Sequence, residues 1–247
     1  ARNAPRFWYT RTGDPKADAA IAAQGFQQMG GVLQEQIRGR TAREKMLGDQ
    51  ANFEKALELN ITVFDHADIY TFGKAETVFG NVLRDSPALK EQMVLQSKCA
   101  IRFEDDMGPK RYDFSAKWIS SSVEGILSRL HIEQLDILLL HRPDPLMELE
   151  EVAQTLALLQ QQGKIKHVGV SNMHSHQMAY LQSALSTPIV ANQLEMSLAF
   201  RDWLEDGVTT NSPANRHSGY APGTLEYCMM NNVQLQAWGS LAQGKYT

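Results

Sequence analysis

From residue 51 onward the chain alternates between two hydrophobic periods, and this alternation limits the folds open to it more than any other feature. Helical patterning covers 51–60 (ANFEKALELN), 75–83, 115–131, 148–162, 175–186 and 222–232. Apolar, β-branched strand patterning covers 61–65 (ITVFD), 92–98 (QMVLQSK), 135–141 (LDILLLH), 166–171 (KHVGVS), 188–193 (PIVANQ) and 233–238 (VQLQAW). Strands alternating with helices of roughly 10–15 residues imply right-handed βαβ units and a parallel sheet. Near-continuous apolar strands imply helices on the sheet's outer face and a filled interior. No G-x-G-x-x-G follows a strand, so the fingerprint of open dinucleotide-binding sheets is missing. The expected fold is an α/β (β/α)8 TIM barrel, one domain over 1–247. RFWYT (6–10) is a weaker seventh strand, so the barrel is expected to be incomplete at its C-terminal end. Residues 14–50, Gln-rich with Gly30-Gly31 in the middle, have helical composition but no assignable element, and 201–224 reads as a long Gly/Asn/Ser/Pro-rich loop.

Composition excludes several classes of function. Of 247 residues, 43% are hydrophobic and 21% charged, enough apolar material for a sizeable core. Twenty-four basic against 28 acidic residues leave a net charge of −4, too mild for a nucleic-acid or membrane-surface partner. The basic cluster Arg38, Arg40 and Arg43 reads as a solvated helix face. Cys99 and Cys228 are the only cysteines, so no disulfide framework or zinc knuckle is expected. ARNAPRFWYT lacks a signal-peptide core, and no apolar run reaches the roughly 18 residues of a membrane helix. A cytoplasmic enzyme is expected. The glycosylation-type triplet Asn60-Ile61-Thr62 leads into a strand and reads as chance.

In barrels of this kind chemistry sits where strands leave the sheet. The strand exits here end in Asp65 (with Tyr70 in the following loop), Lys98, His141, Ser171-Asn172, Gln193 and Trp238. Because side chains alternate with period two, Ile61, Val63 and Asp65 share a face, as do Leu135, Ile137, Leu139 and His141. Apolar rows therefore end in ionisable groups on a common rim.

FDHADIY, LQSK, LLLHRPDP, GVSN and ANQLEMS, in this order, resemble the aldo-keto reductase family, and the likeness resumes at LQAWGSL. It covers roughly 51–200, and the HRPDP loop points to a bacterial oxidoreductase branch. The resemblance implies reduction of the carbonyl of a small aldehyde or ketone by NADPH, with Asp65, Tyr70, Lys98 and His141 as the catalytic set. Tyr70 would be the proton donor, a role worth roughly 10²–10⁴ in rate. Lys98 would favour the phenolate left behind, Asp65 would compensate the lysine's charge, and His141 would orient the carbonyl oxygen. By the same resemblance Ser171, Asn172 and Gln193 would bond the nicotinamide carboxamide, Trp238 would stack on the ring, and Gly239, Ser240 and Leu241 would open the loop over the pyrophosphate. NADP(H) is implied by resemblance alone. The basic segment that would read its 2′-phosphate has no visible counterpart, so NAD(H) stays open. A monomer with a small-molecule carbonyl substrate and no metal is expected.

Two other readings compete. Asp65, His66, Asp68 and His141, with His174-x-His176 nearby, could ligate the metal of a barrel hydrolase, though Lys98 would then have no role. Alternatively the chain could be a non-catalytic, nicotinamide-cofactor-binding regulatory relative. The substrate pocket would be built from loops 8–14, 102–114, 142–147 and 201–224, which carry little readable pattern; Arg142 is expected to pair with Asp144.

Overall fold

A computed structural model describes residues 42–244 apart from 107, 210 and 214–219; for 42–49 and 243 the description is of backbone alone. The candidate strand at 6–10, residues 14–41 and the side chains of the basic cluster lie outside the described residues.

The elements run α1 (Ala42–Glu58), β1 (Val63–Asp65), α2 (Lys74–Asp85), a 3₁₀ turn (Pro87–Gln92), β2 (Val94–Cys99), a short hairpin of β3 (Ile101–Arg102) and β4 (Arg111–Tyr112), and α3 (Ala116–Leu130). They continue with β5 (Leu135–Leu140), α4 (Leu149–Gln161), β6 (Ile165–Ser171), α5 (Ser175–Gln182), β7 (Ile189–Glu195), α6 (Asp202–Val208), α7 (Thr224–Met230) and β8 (Gln234–Trp238). Six strands form one parallel sheet in the order β1-β2-β5-β6-β7-β8. The sheet curls: Gln96 on β2 and Gln236 on β8 exchange side-chain amide hydrogen bonds of 2.8 and 2.9 Å although three strands separate them in the order. The expected TIM-barrel architecture is therefore present as a curled six-stranded wall. Among the described residues no helix is long and apolar enough to cross a membrane.

All six strands that the apolar patterning marks are present. Differences fall where local pattern is weak. The helix expected at 51–60 reaches back at least to Ala42, the first described residue, inside the Gln-rich stretch; Phe53 anchors it to the core, its ring centroid 4.5 Å from that of Phe79 and 5.9 Å from that of Phe64. The expected loop 201–224 holds α6, whose DWLEDGV sequence hides a helix behind an internal glycine, and the loop 102–114 carries the hairpin's return strand, two residues long and too short to show a period. The strand expected over 135–141 ends at Leu140, but the His141 amide still bonds the Cys99 carbonyl at 3.0 Å.

Helix α3 starts at Ser115, whose hydroxyl accepts from the Trp118 amide at 3.3 Å, and ends at His131 in the left-handed region (φ 54°). It presses against α2 at Gly80, where a methyl group would come within 2.0 Å of the Arg129 carbonyl oxygen and 2.7 Å of the Leu130 Cα. Only a glycine admits that approach. Gly80→Ala is expected to destabilise by at least about 1–3 kcal/mol in urea titration. Gly207→Ala, in α6 with no described atom within 4 Å of the new methyl, should gain up to about 1 kcal/mol.

Candidate active site

The rim residues converge. Asp65 closes β1, Lys98 is next to last on β2, and His141 follows β5, so three parallel strands deliver three ionisable groups to one end of the wall. The Lys98 side chain has no exposed surface, and its ammonium meets three acceptors: Asp65 Oδ2 at 2.5 Å, the His66 carbonyl at 2.8 Å and Tyr70 Oη at 3.4 Å. An ammonium offers three donors, so this buried cation is fully satisfied. Tyr70 is itself exposed at the mouth, and the His141 ring stands edge-on to it with centroids 6.0 Å apart. The loop carrying Tyr70 is tied to β2 through the His66 amide on the Gln96 carbonyl (2.8 Å) and the Asp68 amide on the Lys98 carbonyl (3.0 Å).

Beneath this cluster lies a layer of amides of which reading the strand exits finds Gln193 and misses Gln96 and Gln236. Gln96 donates to Asp65 Oδ1 at 2.6 Å and to Gln236 Oε1, which also accepts from Gln193 at 3.3 Å. Gln96 precedes Lys98 by two and Gln236 precedes Trp238 by two, so each shares a face with a rim residue; a polar residue one period below the exit was the available signal. The far arc is held just as firmly. Asn172, with φ 59°, donates to Ser171 Oγ (2.8 Å) and the His141 carbonyl (3.2 Å), and accepts from Trp238 Nε1 at 3.0 Å. Ser171 Oγ donates to the Gln193 carbonyl at 2.9 Å. Gly239 follows with φ 65°, a turn that glycine suits, and among the described residues the amides of Ser240 and Leu241 are paired with no acceptor.

The residues of the metal reading do not converge: among the described residues no group of three His, Cys, Asp or Glu side chains could hold a metal ion. His66 packs on Phe79 at 4.4 Å between ring centroids, and His174 caps α5, its Nδ1 accepting from the Gln177 amide. Arg142 does not pair with Asp144, whose carboxylate is taken by the amides of Phe114 (3.1 Å) and Leu146 (2.9 Å). Arg142 instead lines a cavity of about 310 Å³ with Asn172, Glu195 and Trp238.

A model of the aldo/keto reductase family matches residues 35–247. The chain belongs to this family. It is 38% identical over 196 residues to the oxidoreductase YcsN of Bacillus subtilis, covering 78% of this chain and 60% of that one. It is 36% identical over 206 residues to a 6-dehydroglucose reductase of Agrobacterium fabrum, covering 80% and 64%. The structure of the glycerol dehydrogenase of Gluconobacter oxydans superposes with a TM-score of 0.65 at 25% identity, covering 83% of this chain and 57% of that one. The chain thus spans less than two thirds of the length of each of these relatives.

Burial dominates the electrostatics of this rim cluster. It lowers the imidazoles of His66 and His141 to about 4 each; the Lys98 charge adds to the lowering at both. Burial also raises the Asp68 carboxyl to about 7, with Glu76 adding to the rise. Replacing Asp65 by Asn leaves the Lys98 ammonium buried without its counter-charge. A stability loss of about 3–5 kcal/mol in chemical denaturation is expected. Acid titration gives a second outcome. Between pH 6.5 and about 4 the unfolded chain takes up protons that the two buried imidazoles refuse, so stability falls as pH falls. Asp68 acts in the opposite sense, being protonated from about pH 7 downward when folded and only near 3.8 when unfolded. Two imidazoles against one carboxyl give a net decrease in the urea midpoint from pH 6.5 toward pH 4, and almost no change in His66→Phe, where the remaining imidazole and Asp68 nearly cancel.

Proposed function

We propose that this chain reduces the carbonyl of a small aldehyde or ketone, with Tyr70 as proton donor and a nicotinamide cofactor as the source of reducing equivalents. One observation carries the reading: a fully buried ammonium, compensated by Asp65, lies 3.4 Å from the hydroxyl of a partly exposed tyrosine whose ring stands edge-on to a neutral imidazole. A carbonyl oxygen becoming an alkoxide needs a proton at that instant. Tyr70 Oη delivers it, and the nearby Lys98 ammonium stabilises the phenolate left on the ring. Asp65 supplies the counter-charge to the ammonium inside the wall, and Gln96 fixes the carboxylate by donating to its second oxygen. His141, neutral down to about pH 4, has one N–H to donate to the substrate oxygen and so orients the carbonyl between itself and Tyr70.

The cofactor fits the far arc. Ser171, Asn172 and Gln193 would hold its carboxamide and Trp238 would flank the ring; the amides of Ser240 and Leu241, beside Gly239 and without an acceptor among the described residues, suit anionic oxygens of a pyrophosphate. When bound, a reduced nicotinamide supplies the hydride for the carbonyl carbon. NADP(H) rests on the family resemblance, and the ratio of kcat/KM with NADPH to that with NADH decides between it and NAD(H).

Tyr70→Phe is expected to lower turnover of NADPH with 4-nitrobenzaldehyde by roughly 10² or more while cofactor still quenches tryptophan fluorescence. Undiminished turnover in this variant would remove Tyr70 as proton donor. Quenching without turnover in the unmodified chain would favour a cofactor-binding regulatory role.

A further inference from the structure

A second cavity lies behind the loop that carries Tyr70, where that loop meets the start of the β3–β4 hairpin and α3. Its volume is about 340 Å³, within the range of small-molecule sites. Its walls include Ile69, Phe72, Ile101, Phe103 and Trp118, and none of Tyr70, Lys98 or His141 lines it. Phe72 is 80% exposed and Phe103 38%, with their rings 4.9 Å apart at the cavity's edge. Large aromatic rings left in water beside a concave wall that mixes apolar with polar side chains mark a surface that gains by being covered.

The backbone adds to this. Thr71 and Phe72 both take positive φ, 48° and 57°, ahead of Gly73 at 80°. That region is costly for a β-branched and an aromatic residue, and such conformations concentrate at ligand clamps and switch loops. Here they hold the Phe72 ring outward with little protein contact to repay the strain.

Charge narrows the ligand. Arg102 is held by Asp105 and Asp113 and stacks over the Trp118 ring at 4.5 Å, and Arg129 is bound to Glu76 at 2.7 Å. Each guanidinium in the lining thus already has its carboxylate, leaving no spare cation for an anionic ligand. Two of the lining residues carry unpartnered buried atoms, Asp68 Oδ1, an acceptor whose carboxyl is also hydrogen-bonded by Ser122, and Trp118 Nε1, a donor. A ligand hydroxyl can accept from an indole N–H and donate to a carboxyl oxygen, the two kinds of group left unpaired here.

We propose that this cavity is a second ligand site, taking a small uncharged aromatic molecule that bears a hydroxyl group. The proposal rests on the cavity alone and not on the reductase reading. Tyr70 lies between the lining residues Asp68 and Phe72, so a ligand there would fix the loop that presents the phenol.

Titration calorimetry of the whole chain with 2-naphthol, with NADP present to fill the barrel mouth, tests it; 2-naphthoate serves as the anionic counterpart. Expected are saturable binding of one 2-naphthol per chain and weaker binding of 2-naphthoate. Phe72→Ala removes an exposed ring, and Trp118→Phe keeps a ring but deletes the Nε1 donor; each should weaken 2-naphthol by about tenfold, the effect of one lost contact in a buried site. Tyr70→Phe should leave the affinity unchanged, which separates this site from the barrel mouth. No saturable binding, equal or tighter binding of 2-naphthoate, unchanged affinity in both cavity variants, or loss of binding in Tyr70→Phe would each overturn the proposal.

Discussion

A lysine with no exposed surface is expensive unless every one of its protons and its charge is matched, and the barrel wall is organised around meeting that demand at Lys98. The counter-charge comes from the next strand of the sheet, because β1 pairs with β2 in a register that sets Asp65 beside Gln96, one period from Lys98. A slip of one residue would turn Lys98 toward the helices and bring Ser97 or Cys99 to the mouth. The ion pair is therefore a register lock as much as a chemical device. Gln96 and Gln236 extend the lock across the interior, joining strands that are not neighbours in the sheet.

Strand β2 carries polar groups on its other face as well. Ser97, between Gln96 and Lys98, points away from them and donates to Glu76 Oε1 at 2.5 Å, and Glu76, fully buried, binds Arg129 of α3. One strand is thus held from inside by an ammonium and an amide and from outside by a carboxylate bridging α2 and α3. The close approach of those helices at Gly80 lets the bridge form, and the Tyr70 loop runs from the inner cluster to the outer one. Both the proposed proton donor and the proposed second cavity lie on this loop.

The legible parts of the chain were those where chemistry repeats locally. Apolar runs such as LDILLL declare buried strands, and the polar residue that ends each run marks the mouth. Gln193 closes its expected strand and was legible; its layer partners Gln96 and Gln236 were harder to see, since a glutamine within an apolar strand looks like a tolerated exception until its partner, 140 residues away, is known. His174 resembled a ligand in the sequence and is a helix cap in the structure; Arg142 looked paired with Asp144, but two backbone amides claim that carboxylate first.

By itself the order of residues determined the alternation of strand and helix, the parallel sheet, and the short set of ionisable groups at the strand exits, because periodicity and apolar content act within a few residues. It also determined the family, through motifs such as FDHADIY and GVSN. Tertiary structure alone decided which atoms meet: that the Lys98 ammonium touches Asp65, His66 and Tyr70 together, that Gln96 reaches Gln236, and that strained Thr71 and Phe72 leave an aromatic edge open to water. These depend on the curl of the sheet and the path of a loop, which arise from packing over the whole chain and leave no local trace in it.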